Sequence, residues 1–301
     1  MRPLVARLAW PIAACLFASP ASAHGEHAAE AIPGWNWDLW IVLPLIVAAL
    51  LFATGLLRLW TRTRHAGLGR RAGWFALGWL VLSLALVSPL HAAGEQSFSA
   101  HMLEHEMLML AAAPFLVLAH PMPILLWGFP APARRALGAI VVAAPVTGLW
   151  RILIAPVTAT LVQAAALLLW HAPALFDLAL AHEGWHAAQH LSFLLSALFF
   201  WTAMLGRRSR GDRPLAALCL FATSLVSGAL GALMAFSESP WYVGYARLGM
   251  APFGLTPAED QQLAGLIMWV PGGLVHAAAA LALVATMFGR QLLSSEAADA
   301  V

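Results

Sequence analysis

The amino-acid sequence predicts an all-α fold: a polytopic membrane helix bundle with seven transmembrane helices after a cleaved signal peptide, N-out/C-in. Three observations carry this expectation. Only 10% of the 301 residues are charged and 61% are hydrophobic, whereas a soluble domain carries roughly 25% charge. The mean hydropathy is +0.79, and the apolar residues fall in blocks of about 20, the length that crosses the hydrocarbon core. All 16 basic residues are arginine, and they sort to one side of those blocks.

Taken in order, residues 1–23 read as a secretory signal peptide. Arg2 and Arg7 precede an apolar run at 8–17 that is too short to span, and Ala21-Ser22-Ala23 places small residues where a signal peptidase needs them. A lipoprotein signal at Cys15 competes, but too little apolar sequence precedes the cysteine. Cleavage after Ala23 leaves residues 24–38 as a short periplasmic leader, 39–290 as the seven-span membrane domain and 291–301 as a cytoplasmic tail. The spans are expected near residues 40–59, 74–93, 100–119, 156–176, 186–205, 215–237 and 263–288. Residues 137–155 are apolar but interrupted by Pro145 and Arg151. As an eighth span they would carry the arginines at 207–213 outside, so they are expected to lie at the cytoplasmic interface. Residues 237–262 form the longest periplasmic loop, where Trp241, Tyr242 and Tyr245 suit the membrane–water boundary.

The arginines set the orientation. Outside the signal, Arg58, Arg62, Arg64, Arg70, Arg71, Arg134, Arg135, Arg151, Arg207, Arg208, Arg210, Arg213 and Arg290 fall on one side, and only Arg247 on the other. Cytoplasmic loops carry the basic excess. The histidines then sort the opposite way. His65 and His120 are cytoplasmic, whereas His24, His27, His91, His101, His105, His171, His182, His186, His190 and the deeper His276 face outwards, with Glu95, Glu104, Glu106, Asp177, Glu183, Glu238, Glu259 and Asp260. A face of imidazoles and carboxylates suits a cation and excludes nucleic acid as a partner. With Cys15 removed, Cys219 stands alone, so neither a disulfide framework nor a paired-cysteine metal site is available.

Spacing narrows the chemistry. His101 and His105 are four apart and share one helix face, His186 and His190 repeat that spacing, and His182 extends the second stripe if its helix starts early. Such pairs can grip one metal ion, with Glu104 as ligand or as a partner that orients a histidine. Met102, Met107 and Met109 lie beside the first pair and read more readily as packing than as ligands. His171 sits near the outer surface ahead of Pro173. His276 reads equally as a ligand or as a buried hydrogen-bonding residue. A mature terminus at His24 would offer amine and imidazole together as a copper chelate, against the plainer reading of a polar leader.

Four stretches taken together resemble a known family. They are "HMLEHEMLMLAAAPFLVLAHP" at 101–121, "LLWHAPALFDLAL" at 168–180, "HAAQHLSFLLSALFFW" at 186–201 and "DQQLAGLIMWVPGG" at 260–273. Their order and spacing are similar to those of the caa3-type cytochrome c oxidase assembly factors, the CtaG-like family, over roughly residues 40–288. The resemblance implies an integral helper of cytochrome c oxidase biogenesis in the bacterial plasma (inner) membrane. It also implies a link to the oxidase's copper centres, with His101, His105, His171, His186 and His190 as the motif-matched metal residues. Glu104, His182, His276 and His24 rest on the reading of the residues alone and not on the resemblance.

The function expected is therefore non-catalytic. An outward-facing copper site would serve cytochrome c oxidase subunits, supplied by a periplasmic copper donor. The alternative is a haem b-binding redox protein, since imidazoles facing each other across a bundle are axial ligands. A copper or solute permease is a third reading; Pro271-Gly272-Gly273 is its only sequence mark. No serine–histidine–acid grouping or phosphate loop points to an enzyme.

Overall fold

Each long apolar block folds as helix. The structure, a computed structural model, describes residues 34–63, 67–206 and 212–299. The expected signal peptide, His24, His27, His65, Arg64, Arg207, Arg208 and Arg210 lie outside the described residues.

Helix α1 (Leu39–Trp60) begins at Asp38, whose carboxylate accepts the Trp40 N–H at 3.0 Å. The chain returns in α2 (Leu68–Val87), and the Asn36 N–H donates to the Val87 carbonyl at 2.8 Å, closing one end of the pair. The span expected at 74–93 is therefore not one helix. It breaks at Ser88, which is held extended by the following proline, and resumes as the short α3 (Pro89–Gly94).

Helix α4 (Phe98–Glu106) continues through a π-helical turn (Met107–Ala112) into α5 (Ala113–Ala119), so one apolar stretch runs over Phe98–Ala119. The π turn loosens the backbone ladder, and the Met109 carbonyl accepts the Trp201 indole N–H at 2.7 Å. His120 turns the chain in a left-handed conformation (φ 44°) into α6 (Pro121–Gly128). Arg58 donates to the Trp127, Gly128 and Phe129 carbonyls, each at 2.9 Å, meeting the orphaned acceptors of the α6 C-terminus. The guanidinium groups of Arg62 and Arg134 lie 5.3 and 3.9 Å from the Trp127 ring centroid. Arginines distant in sequence thus gather at one end of the molecule.

Helices α7 (Ala131–Val141) and α8 (Ala144–Leu153) meet at a 61° bend, and neither buries a residue. Helices α9 (Pro156–Trp170) and α10 (Pro173–Ala181) meet at 74°. The continuous helix expected at 156–176 is therefore broken at His171. Pro173 lacks an N–H and holds Ala172 extended, so the α9 ladder cannot continue through it. Then follow α11 (Glu183–Leu205), α12 (Arg213–Ala235), the short α13 (Val243–Leu248) and the long α14 (Pro257–Asp299).

Among the described residues, six helices are long and apolar enough to cross a membrane singly, and the count reaches 8 if each bent pair is one span. The α12 and α14 backbones touch. A Cβ on Gly231 would lie 2.8 Å from the Gly265 carbonyl oxygen, the close approach that small residues permit between membrane helices. The core lies where α4, α9, α10, α11 and α14 meet and is filled by Phe98, Met102, Phe176, Phe193, Phe200 and Trp201. Large apolar side chains such as Leu43, Leu50 and Leu57 on α1 and Leu218, Phe221 and Leu225 on α12 point outwards, as lipid-facing residues do.

Candidate metal centre

The N-terminal turns of α4 and α11 lie side by side, with α3 and α13 packed over them. The anchor of α4 is Asp260, at the start of α14. Its Oδ1 accepts the Ser97 hydroxyl at 2.9 Å and the Ser99 hydroxyl at 2.5 Å, and its Oδ2 accepts the Phe98 N–H at 2.6 Å. A carboxylate from another helix thereby satisfies orphan donors of the first α4 turn and complements its dipole. This fixes the rotation of α4, and with it His101, Glu104 and His105, which are all buried.

Six side chains converge here: His91, His101, Glu104, His105, His186 and His190. The rings of His101 and His186 lie 5.1 Å apart between centroids, those of His105 and His190 5.0 Å, and those of His91 and His186 5.4 Å. His101, His186 and His190 each bring one ring nitrogen into a group whose members are all within 4.8 Å of one another. His91, Glu104 and His190 form a second such group.

The hydrogen bonds determine which nitrogens carry lone pairs. The Tyr245 hydroxyl donates to the Gly94 carbonyl at 2.5 Å, so His101 Nδ1–H must donate to the Tyr245 oxygen, 3.0 Å away. His101 Nε2 is then an acceptor, and the His105 Nε2–H lies 3.0 Å from it. Two nitrogens on a tetrahedral metal with ~2.05 Å bonds stand about 3.3 Å apart. An ion could therefore replace that shared proton with little movement. The Glu104 carboxylate accepts His91 Nδ1–H at 2.8 Å and lies 3.5 Å from His190 Nδ1. His91 is thus oriented with Nε2 free, the carboxylate–histidine arrangement that tunes metal ligands, while His190 lies within reach of the same charge.

The electrostatics agree with these roles. Burial lowers the His91 pKa, but the hydrogen bond and charge of Glu104 outweigh it and raise the net value. Burial, with the carboxylates of Asp260, Glu104 and Glu95, raises the Tyr245 phenol well above its ordinary value, so it remains a donor. Around the cluster, His105 Nδ1, His186 Nε2, His190 Nε2, Glu104 Oε2 and both amide atoms of Gln189 are buried without a hydrogen-bond partner. Native proteins rarely leave such atoms unsatisfied, and functional sites are where they do.

Other expected residues lie elsewhere. His182 is exposed at the N-cap of α11 and enters neither group. His171 ends α9; its Nδ1–H donates to the Leu167 carbonyl at 2.8 Å, and Phe176 and Phe193 stand between it and the cluster. His276 lies deeper, stacked on Trp201 at 5.8 Å. Met102 and Met109 are packed in the apolar core. His91 is a member that helical spacing could not reveal, because it sits on a separate short helix after a proline break. Its only signal in sequence was its place on the histidine-rich side.

A bundle of membrane helices with a buried histidine–carboxylate group at one end defines a polytopic membrane protein able to hold a metal ion. The family of cytochrome c oxidase caa3 assembly factors (Caa3_CtaG) matches residues 50–290. The chain belongs to that family, and its expected place in cytochrome c oxidase assembly follows. No curated protein and no solved structure matches it.

Proposed function

We propose that this protein is a non-catalytic assembly factor that holds copper at the His101/His186/His190 group and passes it to a subunit of cytochrome c oxidase. The observation that carries the reading is the set of unpartnered nitrogens, His186 Nε2 and His190 Nε2, beside His101 in a group that can ligate one ion. Imidazole accommodates Cu(I) and Cu(II), and the lone Cys219 lies outside that group. Glu104 orients His91 and lies within reach of His190, while His105 shares the proton that the ion displaces.

The arginine asymmetry supports a periplasmic position for this end of the bundle, within reach of a copper donor there and of an oxidase subunit in the same inner membrane. The seven-span arrangement behind that orientation counts the bent pair α9–α10 as one span and leaves α7–α8 at the cytoplasmic surface. Haem b fits the cluster less well. Its rings pack against one another at 4.3–5.9 Å between centroids, where a porphyrin would need a planar slot.

The test is the copper content of purified full-length protein after loading and desalting. Wild type should retain copper, and a His101→Ala/His190→Ala variant should lose the ion bound at this group. Equal copper in both would overturn the reading. A Soret band in the purified wild type would favour haem instead.

A further inference from the structure

Glu106 lies two residues beyond Glu104, so it leaves α4 on nearly the opposite face. There it borders a small cavity of ≈ 20 Å³ together with Gln163 of α9, Thr223 of α12 and His276 of α14. Four helices thus bring a carboxylate, an amide, a hydroxyl and an imidazole to one small space. Gln163, Thr223 and His276 are only 2%, 4% and 3% exposed. Glu106 Oε2, Gln163 Oε1, Thr223 Oγ1 and His276 Nε2 are buried without a hydrogen-bond partner.

The imidazole is held in a ligating orientation. His276 Nδ1–H donates to the Gly272 carbonyl at 2.7 Å, which leaves Nε2 with the lone pair. The ring stacks on Trp201 at 5.8 Å and an interplanar angle of 3°, and Trp201 is itself fixed by the Met109 carbonyl. Gly272 and Glu106 are neighbours: a Cβ on Gly272 would sit 3.6 Å from Glu106 Oε2.

The balance of donors and acceptors says what the cavity takes. With Glu106 ionised, as a bound cation would make it, carboxylate oxygen, amide oxygen and imidazole Nε2 are all acceptors, and Thr223 supplies one proton at most. One water and Thr223 together carry three protons for these three acceptors, so water is the competing occupant, and a cation is the occupant that all four atoms can hold by their lone pairs. The space admits one ion or one water and excludes an organic ligand. Polar groups at membrane depth mark ion pathways, and a mixed nitrogen–oxygen set, with Met109 also in the lining, suits a transition metal rather than Mg²⁺ or Ca²⁺.

We propose that Glu106 and His276, assisted by Gln163 and Thr223, form a second site for one transition-metal ion, on the face of α4 opposite the outer cluster. That this ion is copper rests on the reading of the outer cluster; the existence of the second site does not. The site makes α4 a two-station element, with Glu104 and His105 serving the rim and Glu106 the interior.

The experiment counts metal in full-length protein held in lipid nanodiscs, titrated anaerobically with Cu(I) against a competing chelator and, in parallel, with Zn²⁺. Wild type is expected to bind two ions. Glu106→Gln/His276→Phe, which keeps the shape of the first side chain and an aromatic ring on Trp201, is expected to bind one, as is the rim variant His101→Ala/His190→Ala. Equal counts in wild type and Glu106→Gln/His276→Phe overturn the proposal and assign the cavity to water, while loss in the rim variant still upholds the outer site. Loss only in Glu106→Gln/His276→Phe has the reverse meaning. If wild type binds neither metal, both proposals fall. X-ray absorption of the copper-loaded rim variant guards against a misfolded double variant. A single imidazole with oxygen or sulfur ligands is expected, and two or more imidazoles on the ion overturn the proposal.

Discussion

Replacing Glu104 by glutamine separates the charge of this residue from its shape. The carboxylate is wholly buried, holds His91 at 2.8 Å and stands 3.5 Å from His190. Glutamine retains one carbonyl oxygen that can accept the His91 N–H but removes the negative charge that makes both imidazoles better ligands. A charge-assisted hydrogen bond contributes about 1.5–3 kcal/mol and a neutral one about 1 kcal/mol. The difference, about 0.5–2 kcal/mol, corresponds to a ~2–30-fold weaker metal affinity, which overlaps the 10–100-fold typical of lost partners to metal ligands. Glu104→Ala also removes the orienting contact and should weaken binding by ~100-fold. If Glu104 acts through His91, the losses in Glu104→Gln and His91→Ala will not add, with a coupling of ~1 kcal/mol in a double-mutant cycle. The assay is competition between the purified protein and a chromophoric copper chelator, with thermal unfolding as the control for folding. Affinity within twofold of wild type in Glu104→Gln would refute the argument that this carboxylate tunes the site. A loss beyond 1,000-fold, with an oxygen missing from the copper coordination shell, would instead make Glu104 a direct ligand.

Three further perturbations test the supports around the cluster. Tyr245→Phe removes the hydroxyl that accepts from His101 Nδ1 while leaving the ring packed on Phe98, so copper affinity should fall ~10-fold with little change in unfolding temperature. An unchanged affinity would show that packing alone fixes His101. Asp260→Asn sets an amide N–H₂ against either the Phe98 N–H or the two serine hydroxyls. It should destabilise the protein by about 2–4 kcal/mol, read as a lower unfolding temperature in detergent, and should lower metal occupancy with it. His182→Ala should leave copper affinity within twofold of wild type, because the side chain is exposed and belongs to neither ligating group; a tenfold loss would restore it to the site.

Much of the architecture was legible because hydrophobic block length and helical spacing are local signals. The pairs His101/His105 and His186/His190 could be read as two stripes, and the structure sets those stripes against each other. What was not legible depends on backbone breaks and contacts distant in sequence. His91 comes to the cluster only because Pro89 ends α2 and restarts the chain as α3. The stripe through His182 fails because α11 begins only at Glu183, leaving His182 in extended backbone. The helix expected at 156–176 ignored the effect of Pro173 on the residues before it. Asp260 was read as one more acid on the outer face and as the first residue of a family-like stretch, not as an anchor for α4. Its partners at 97–99 are about 160 residues away, and no periodicity connects them.

These long-range contacts also explain why polar residues are spread over four separated stretches of sequence. Asp177 caps the short α13 by accepting the Val243 and Gly244 N–H groups at 3.2 and 2.9 Å, and α13 carries Tyr245 to His101. The break at His171 frees that residue's carbonyl, which accepts the Tyr242 hydroxyl at 3.1 Å and steadies the same loop. Gln261 accepts the Trp241 N–H at 2.6 Å, next to Asp260, which sets the start of α4. His101 is therefore positioned by three chains of contacts that begin on α10, α9 and α14. The α11 side differs: Gly184, Trp185, Ala187 and Ala188 are exposed, and His186 is the only member of its ligating group that is not fully buried. A site fixed on one wall and less enclosed on the other has the asymmetry that the proposed transfer would use. On the proposed role, the fixed wall would set the geometry in which an ion is held, and the α11 wall, where His186 is half-buried with its Nε2 enclosed, is the side that would move to admit or release it.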